Sequence, residues 1–344
     1  MKAQTRKTLL ATGITLIVGI GVVSGVAAYM LYHHLTPEND TYIYIDTDDT
    51  IDSVYQKIEQ THSDASFTAL HLLTAYSHYD RHIHAGRYLV SNRLTTLDLF
   101  RNLRSHNSCP ISLVVPSVRT IDMLAARVAR QLMIDSVTLA THLNNPDTWK
   151  SLGYTRETFP ALFIPDTYEV YWETSAQSFV DRMSKVNHDF WNEQRTNKAK
   201  QIGFTPNEVV TLASIVDSET ANNAEKARIA GLYINRLKRG MLLQSDPTVI
   251  YAVGDFSIRR VLNIHLQTQS PYNTYLVHGL PPGPIRIPSV AGIDAVLNYE
   301  HHDYIYMCAK EDFSGTHNFA TTYAEHMQNA RKYINALTKR NIMK

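Results

Sequence analysis

The sequence predicts an α+β protein behind a single N-terminal transmembrane helix, and three observations point there. Residues Leu9 to Tyr32 form an uncharged apolar run. Behind it, short β-branched and aromatic runs are interspersed with stretches whose apolar residues recur at helical spacing. The roughly 310 residues that follow are enough for two globular domains on the usual length prior, and 44% of the chain is hydrophobic and available for cores.

As a helix the apolar run would be about 36 Å long, which suffices to cross a bilayer. Lys2, Arg6 and Lys7 precede it, whereas His33, His34, Glu38 and Asp40 follow. The positive-inside rule therefore keeps residues 1–8 in the cytoplasm and places everything after Leu35 outside. The alternative is a cleaved signal peptide with Val26-Ala27-Ala28 as its cleavage site, but the run exceeds the usual apolar core of such peptides.

Tyr42-Ile43-Tyr44-Ile45 reads as a strand, and Asp48-Asp49-Thr50 opens a helix carrying Ile51, Val54 and Ile58. A second apolar helix spans Phe67 to Tyr76, Gly86 to Val90 is strand-like, and Thr95-Thr96-Leu97-Asp98 starts a short helix through Leu103. These make a compact α+β unit ending near Ser108. Ile111 to Val115, between prolines, is the next strand; a helix from Thr120 to Met133 shows Ile121, Leu124, Val128 and Leu132 on one face. Asn144 to Tyr154 reads as loop and turn, Phe163 to Tyr171 as an extended segment stiffened by Pro165, and Ala176 to Ala199 as helix. Thr205 caps a helix with Pro206 in its first position, a break falls at Asn222-Asn223, and a further helix ends at Gly240 behind Arg236, Lys238 and Arg239. Gly315 to Phe319 enters a strand, and Thr322 to Leu337 closes the chain as a helix.

With 33 basic and 32 acidic side chains the formal charge is +1, so no broad field favours nucleic acid. The sixteen histidines include no His-Glu-x-x-His pattern, and no metal or cofactor is expected. Cys109 and Cys308 allow one disulfide in an oxidising compartment, but nothing local shows that their geometry permits it; two buried thiols are the simpler expectation.

The most informative stretch is Leu212-Ala213-Ser214-Ile215-Val216-Asp217-Ser218-Glu219-Thr220. At 100° per residue Glu219 shares a helix face with Leu212, Ile215 and Val216, while Asp217 points away. An acid among apolar neighbours is desolvated and can keep its proton at neutral pH, as a general acid must. The competing reading is a core-edge glutamate paired with a nearby arginine. Downstream, Gln244-Ser245-Asp246-Pro247-Thr248 opens a helix, with Asp246 as N-cap and Pro247 in the first position. Ser270 to Tyr275 and Gly279 to Ile285 are rigid loops with phenol and amide groups, suited to the faces and hydroxyls of a sugar or, equally, to a packed turn.

These motifs resemble the endolytic murein transglycosylase, or YceG-like, family. The likeness lies in Leu212 to Val216, Glu219-Thr220, Ile234-Asn235-Arg236-Leu237, Leu243 to Tyr251, Tyr272 to Tyr275 and Gly279 to Ile285, with Ala85 to Tyr88 and Pro165 to Tyr168 upstream. It implies a LysM-like subdomain over residues 41–108, joined to the membrane helix by a linker at 33–40, and a catalytic domain over 109–344. The family's catalytic glutamate corresponds to Glu219; Gln244, Ser245, Thr248, Asn273 and Tyr275 would form its substrate-binding surroundings. Two departures stand out: Asp217 shortens an acid that many members carry as glutamate, and Pro116-Ser117-Val118-Arg119 lacks a frequent Glu-Gly pair.

The resemblance further implies a lyase that cuts the β-1,4 bond between N-acetylmuramic acid and N-acetylglucosamine without water. Glu219 would protonate the leaving oxygen and then accept the proton of the C6 hydroxyl, which closes a 1,6-anhydro ring. One carboxyl group can serve in turn as acid and base because the nucleophile belongs to the substrate. A hydrolase would instead set a second carboxylate such as Asp246 across the bond, and a binding scaffold would need neither. The expected setting is the bacterial inner membrane with the site in the periplasm, acting on nascent glycan strands beside peptidoglycan synthases.

Overall fold

The computed structural model describes residues 2–61 and 66–340, with the side chains of residues 2–11 and 66 left out. The opening helix, α1 (Lys2–Tyr32), contains one stretch, Thr12–Tyr32, that is long and apolar enough to cross a membrane. Ile14, Ile17 and Val23 are exposed along it. Lys2, Arg6 and Lys7, on which the predicted orientation rests, lie outside the described side chains.

The chain packs as two compact units: Met1–Ser112 with Glu169–Thr174, and Leu113–Tyr168 with Ser175–Lys344. In the first, β1 (Thr41–Ile45) is followed by α2 (Ile51–Glu59) and α3 (Ser66–Tyr76); β2 (Gly86–Val90) then pairs antiparallel with β1, placing Ile43 opposite Tyr88. α4 (Thr96–Arg104) follows. The helix starts are those the sequence predicts, because their signals are local: Thr50 accepts from Ser53 N, and Thr95 and Asp98 form a reciprocal capping box. Ile43, Ile45, Val54, Ile58, Leu70 and Tyr88 belong to the core of this unit, each no more than 3% exposed.

β3 (Pro110–Val115) and β4 (Asp166–Tyr171) form a two-stranded sheet. In the second unit α5 (Ile121–Ala129) is shorter than predicted. The expected loop at 144–154 is instead the end of α6 (Ser136–Asn144) and all of α7 (Pro146–Ser151). Asn145 explains the difference. Its side chain accepts from Asp147 N at 3.0 Å with Pro146 in the first turn, so Asn-Pro starts a helix here and does not mark a turn. The predicted helix from 176 to 199 is two, α8 (Ala176–Phe190) and α9 (Glu193–Ile202), divided where Asn192 caps the second.

α10 (Pro206–Glu219), α11 (Asn223–Lys238), α12 (Asp246–Val253), α13 (Asn263–Leu266) and α14 (Val290–Leu297) complete the helical body. β5 (Tyr306–Ala309) pairs antiparallel with β6 (His317–Ala320), and α15 (Tyr323–Lys339) follows. The core centres on α10, whose residues Val209 to Val216 are all buried. Burial right around this helix corrects the one-faced reading of its sequence. Inside it, Thr211 and Ser214 return their hydroxyl hydrogens to the carbonyls of Asn207 and Thr211, and Ser214 Oγ accepts from Ile285 N at 3.0 Å.

Candidate active site

α10 is fixed at its start by a capping box between Thr205 and Glu208 with Pro206 in the first turn, and it ends at Glu219 because Thr220 is extended. Asn222 then caps α11 by accepting from Ala224 N, so the chain reverses within a few residues. This hairpin brings Tyr233 back to Glu219: its hydroxyl donates to Glu219 Oε1 at 2.6 Å. Ser245 donates to the same oxygen at 2.5 Å. No protein donor among the described residues reaches Oε2.

Glu219 lies in the wall of a cavity of about 440 Å³, with Tyr233, Arg236, Gln244, Asp246, Tyr275 and His317 among the other lining residues. Burial raises its carboxyl above the ordinary value; the two hydroxyl hydrogen bonds oppose that shift, and the negative charge of Asp246 adds to it. Burial likewise lifts the Tyr233 phenol well above its usual range, so at neutral pH it is an O–H donor to the acid. A direct consequence is testable. Tyr233→Phe removes a bond that favours the ionised form, so the Glu219 carboxyl should release its proton at higher pH than in the unmodified chain. Carbon-13 NMR of labelled glutamate carboxyls reads this shift, and an unchanged or lower midpoint would refute the assigned donor.

Ser245, not Asp246, is the N-cap residue of α12. Its hydroxyl is diverted to Glu219 and makes no cap bond, while the Asp246 carboxylate accepts from the Tyr275 phenol at 2.7 Å. Burial and this neighbouring acid both raise the Tyr275 hydroxyl. Gln244 sits at a positive φ of 52°, in the left-handed region that non-glycine residues rarely enter, and its Oε1 accepts from Arg236 at 2.6 Å. Arg236 also donates to Leu242 O and Ile305 O, so one buried guanidinium ties α11 to two loops. Gln244 Oε1 is thereby committed, which leaves its amide N–H groups for the cavity.

Of the residues proposed to surround the acid, Gln244 and Tyr275 line the cavity and Ser245 touches Glu219 directly. Thr248 and Asn273 do neither. Both are fully buried: Thr248 bonds Ser245 O and Thr274 Oγ1, while Asn273 donates to Leu266 O and Thr268 O and accepts from Tyr275 N. Their polar groups are spent on holding the loop that presents Tyr275. Asp217 departs from expectation too. It points away from Glu219 but into the protein, ion-paired with Lys226 at 2.7 Å. Cys109 and Cys308 are free thiols, each half-buried.

Sequence reasoning missed Tyr233, the Tyr275–Asp246 bond and His317. Tyr233 directly precedes the Ile234 to Leu237 motif, one helical hairpin from the acid, and that spacing is the signal that could have found it.

Among curated relatives, a Bacillus subtilis protein named endolytic murein transglycosylase is 33% identical over 52% of this chain and 47% of its own length. A Streptococcus pneumoniae protein of the same name is 27% identical over 77% of this chain and 54% of its own. The chain thus spans about half the length of the curated relatives it matches. The crystal structure of a YceG-like protein from Listeria monocytogenes shares the fold, with a TM-score of 0.57 and 24% identity over 85% of this chain and 99% of that one. The YceG-like family itself matches residues 43–332, most of the sequence, and the chain belongs to that family.

Proposed function

We propose that this chain is an endolytic peptidoglycan transglycosylase, a lyase that cuts the bond between N-acetylmuramic acid and N-acetylglucosamine and leaves 1,6-anhydro ends. The observation that carries the reading is the desolvated Glu219 carboxyl in an open cavity, with both neighbouring hydroxyls on one of its oxygens. The other oxygen is then the one to hold a proton for the departing O4 of the glucosamine. The C6 hydroxyl of the muramoyl unit attacks its own C1, and the carboxylate just formed is one acceptor for the proton that hydroxyl loses.

Asp246 in the same cavity favours a second reading, a hydrolase with two carboxylates. The Tyr275 hydrogen bond occupies Asp246 Oδ1 and leaves Oδ2 open, so it is the products that separate the two readings. Mass spectrometry of digested strands separates the two, since an anhydro end is lighter than a reducing end by one water. Reducing ends from the purified protein would overturn the lyase reading.

On this reading α1 is a single-pass anchor in the bacterial inner membrane, the α+β unit behind it is a LysM-like glycan-binding module, and the catalytic unit lies in the periplasm. Tethering confines the cavity to glycan near the membrane, where strands are polymerised. Limiting the length of nascent strands beside their synthases follows as the role.

A further inference from the structure

β6 pairs with β5 so that His317 stands opposite Ala309 and Phe319 opposite Met307. Alternation along the strand turns His317 and Phe319 to one face, and Phe319 packs against the core. His317 lines the same cavity as Glu219. Behind it is Glu225 on α11, only 8% exposed. One Glu225 oxygen accepts the His317 backbone N–H at 2.9 Å, and the other lies 3.2 Å from Nδ1.

An ionised carboxylate only accepts, so Nδ1 carries the hydrogen and the neutral ring has its lone pair on Nε2. No protein group among the described residues bonds Nε2, although the His317 side chain is only 16% exposed. A buried acid that holds both the backbone N–H and the ring Nδ1 of one strand residue fixes where that ring points, and the remaining ring nitrogen has no partner among the described residues. The arrangement is that of a base presented to a ligand.

We propose that His317 is a catalytic residue that accepts the proton of the muramoyl C6 hydroxyl through Nε2, with Glu225 as its positioning residue. The inference rests on the transglycosylase reading and divides between two groups what one carboxyl was expected to do. The C1–O4 bond breaks as O4 takes the Glu219 proton, the C6 oxygen bonds to C1, and its proton passes to Nε2. Glu219 is left as carboxylate and His317 as imidazolium held by Glu225. One proton relayed from imidazolium to carboxylate through water resets both, and nothing is consumed.

The test is the rate of anhydro-end formation by the full-length chain in detergent on soluble uncrosslinked glycan strands. His317→Ala should lower kcat by about 10²-fold, the low end of what a general base contributes, with KM changed little. Added imidazole should restore part of that loss by entering the vacated space. His317→Gln, which keeps much of the side-chain volume, guards against misfolding and should be as slow without rescue by size alone. Glu225→Gln should lower kcat while KM holds. His317 variants within twofold of the unmodified kcat, or an Ala variant that imidazole leaves unchanged, would overturn the inference while the lyase reading stands. If the unmodified chain forms no anhydro ends, it is the underlying reading that fails.

Discussion

Glu219→Gln abolishes formation of anhydro ends, with a loss of about 10²–10⁴-fold expected for removal of a general acid, and at neutral pH the same variant is more stable than the unmodified chain. The glutamine carbonyl can accept from Tyr233 and Ser245 as Oε1 does, so the cavity keeps its shape and loses only the proton donor. The stability gain follows from the raised carboxyl. Below the ordinary glutamate value of 4.5 both folded and unfolded chains hold the proton, and the two proteins should melt alike. As pH rises past that value the unfolded chain releases its proton first, so the folded carboxyl becomes a growing liability until pH passes its raised value. Melting temperature against pH for both proteins checks this. Equal melting at pH 4 and pH 7, or retained cleavage, would remove Glu219 from the assigned role.

What the sequence made legible and what it hid divide along a physical line. Caps were readable because each is a contact within three residues: Thr50, Thr95, Thr205 and Thr322 all start helices in the structure. The desolvation of Glu219 was readable for a partly mistaken reason. α10 is buried on every side, so helical phase distinguishes nothing along most of its length; Glu219 meets the cavity because the helix ends there. Contacts between distant segments left no local trace. His317 is 92 positions from Glu225 and Asp246 is 29 from Tyr275, and only the packed body of the second unit brings such pairs together. Ser245 was passed over as a cap for a related cause: its hydroxyl serves a residue 26 positions away, which no cap rule reveals.

The two acids of Asp217-Ser218-Glu219 should respond to removal with opposite sign. Asp217 and Lys226 are ion-paired with side chains 5% and 7% exposed. The second Asp217 oxygen accepts from Ser289 N at 2.5 Å at the start of α14, and an added Cβ at Gly292 would overlap the carboxylate, so α14 sits directly against this pair. Asp217→Ala leaves the Lys226 ammonium buried without its counter-charge, and breaking such a pair costs about 3–5 kcal/mol. For a unit of this size that is a fall in melting temperature of roughly 10 °C. Replacing both partners by apolar residues, Asp217→Leu with Lys226→Met, should recover part of the loss, because the uncompensated Lys226 ammonium is then gone while Arg286 and the Ser289 N–H still lack the carboxylate. Thermal unfolding of the single and double variants measures the coupling directly. A single variant as stable as the unmodified chain would mean that water reaches Lys226 and that this acid is peripheral. A large loss partly repaired by the double replacement would make Asp217 a structural anchor for α14, leaving Glu219 alone on the chemical side of the helix end.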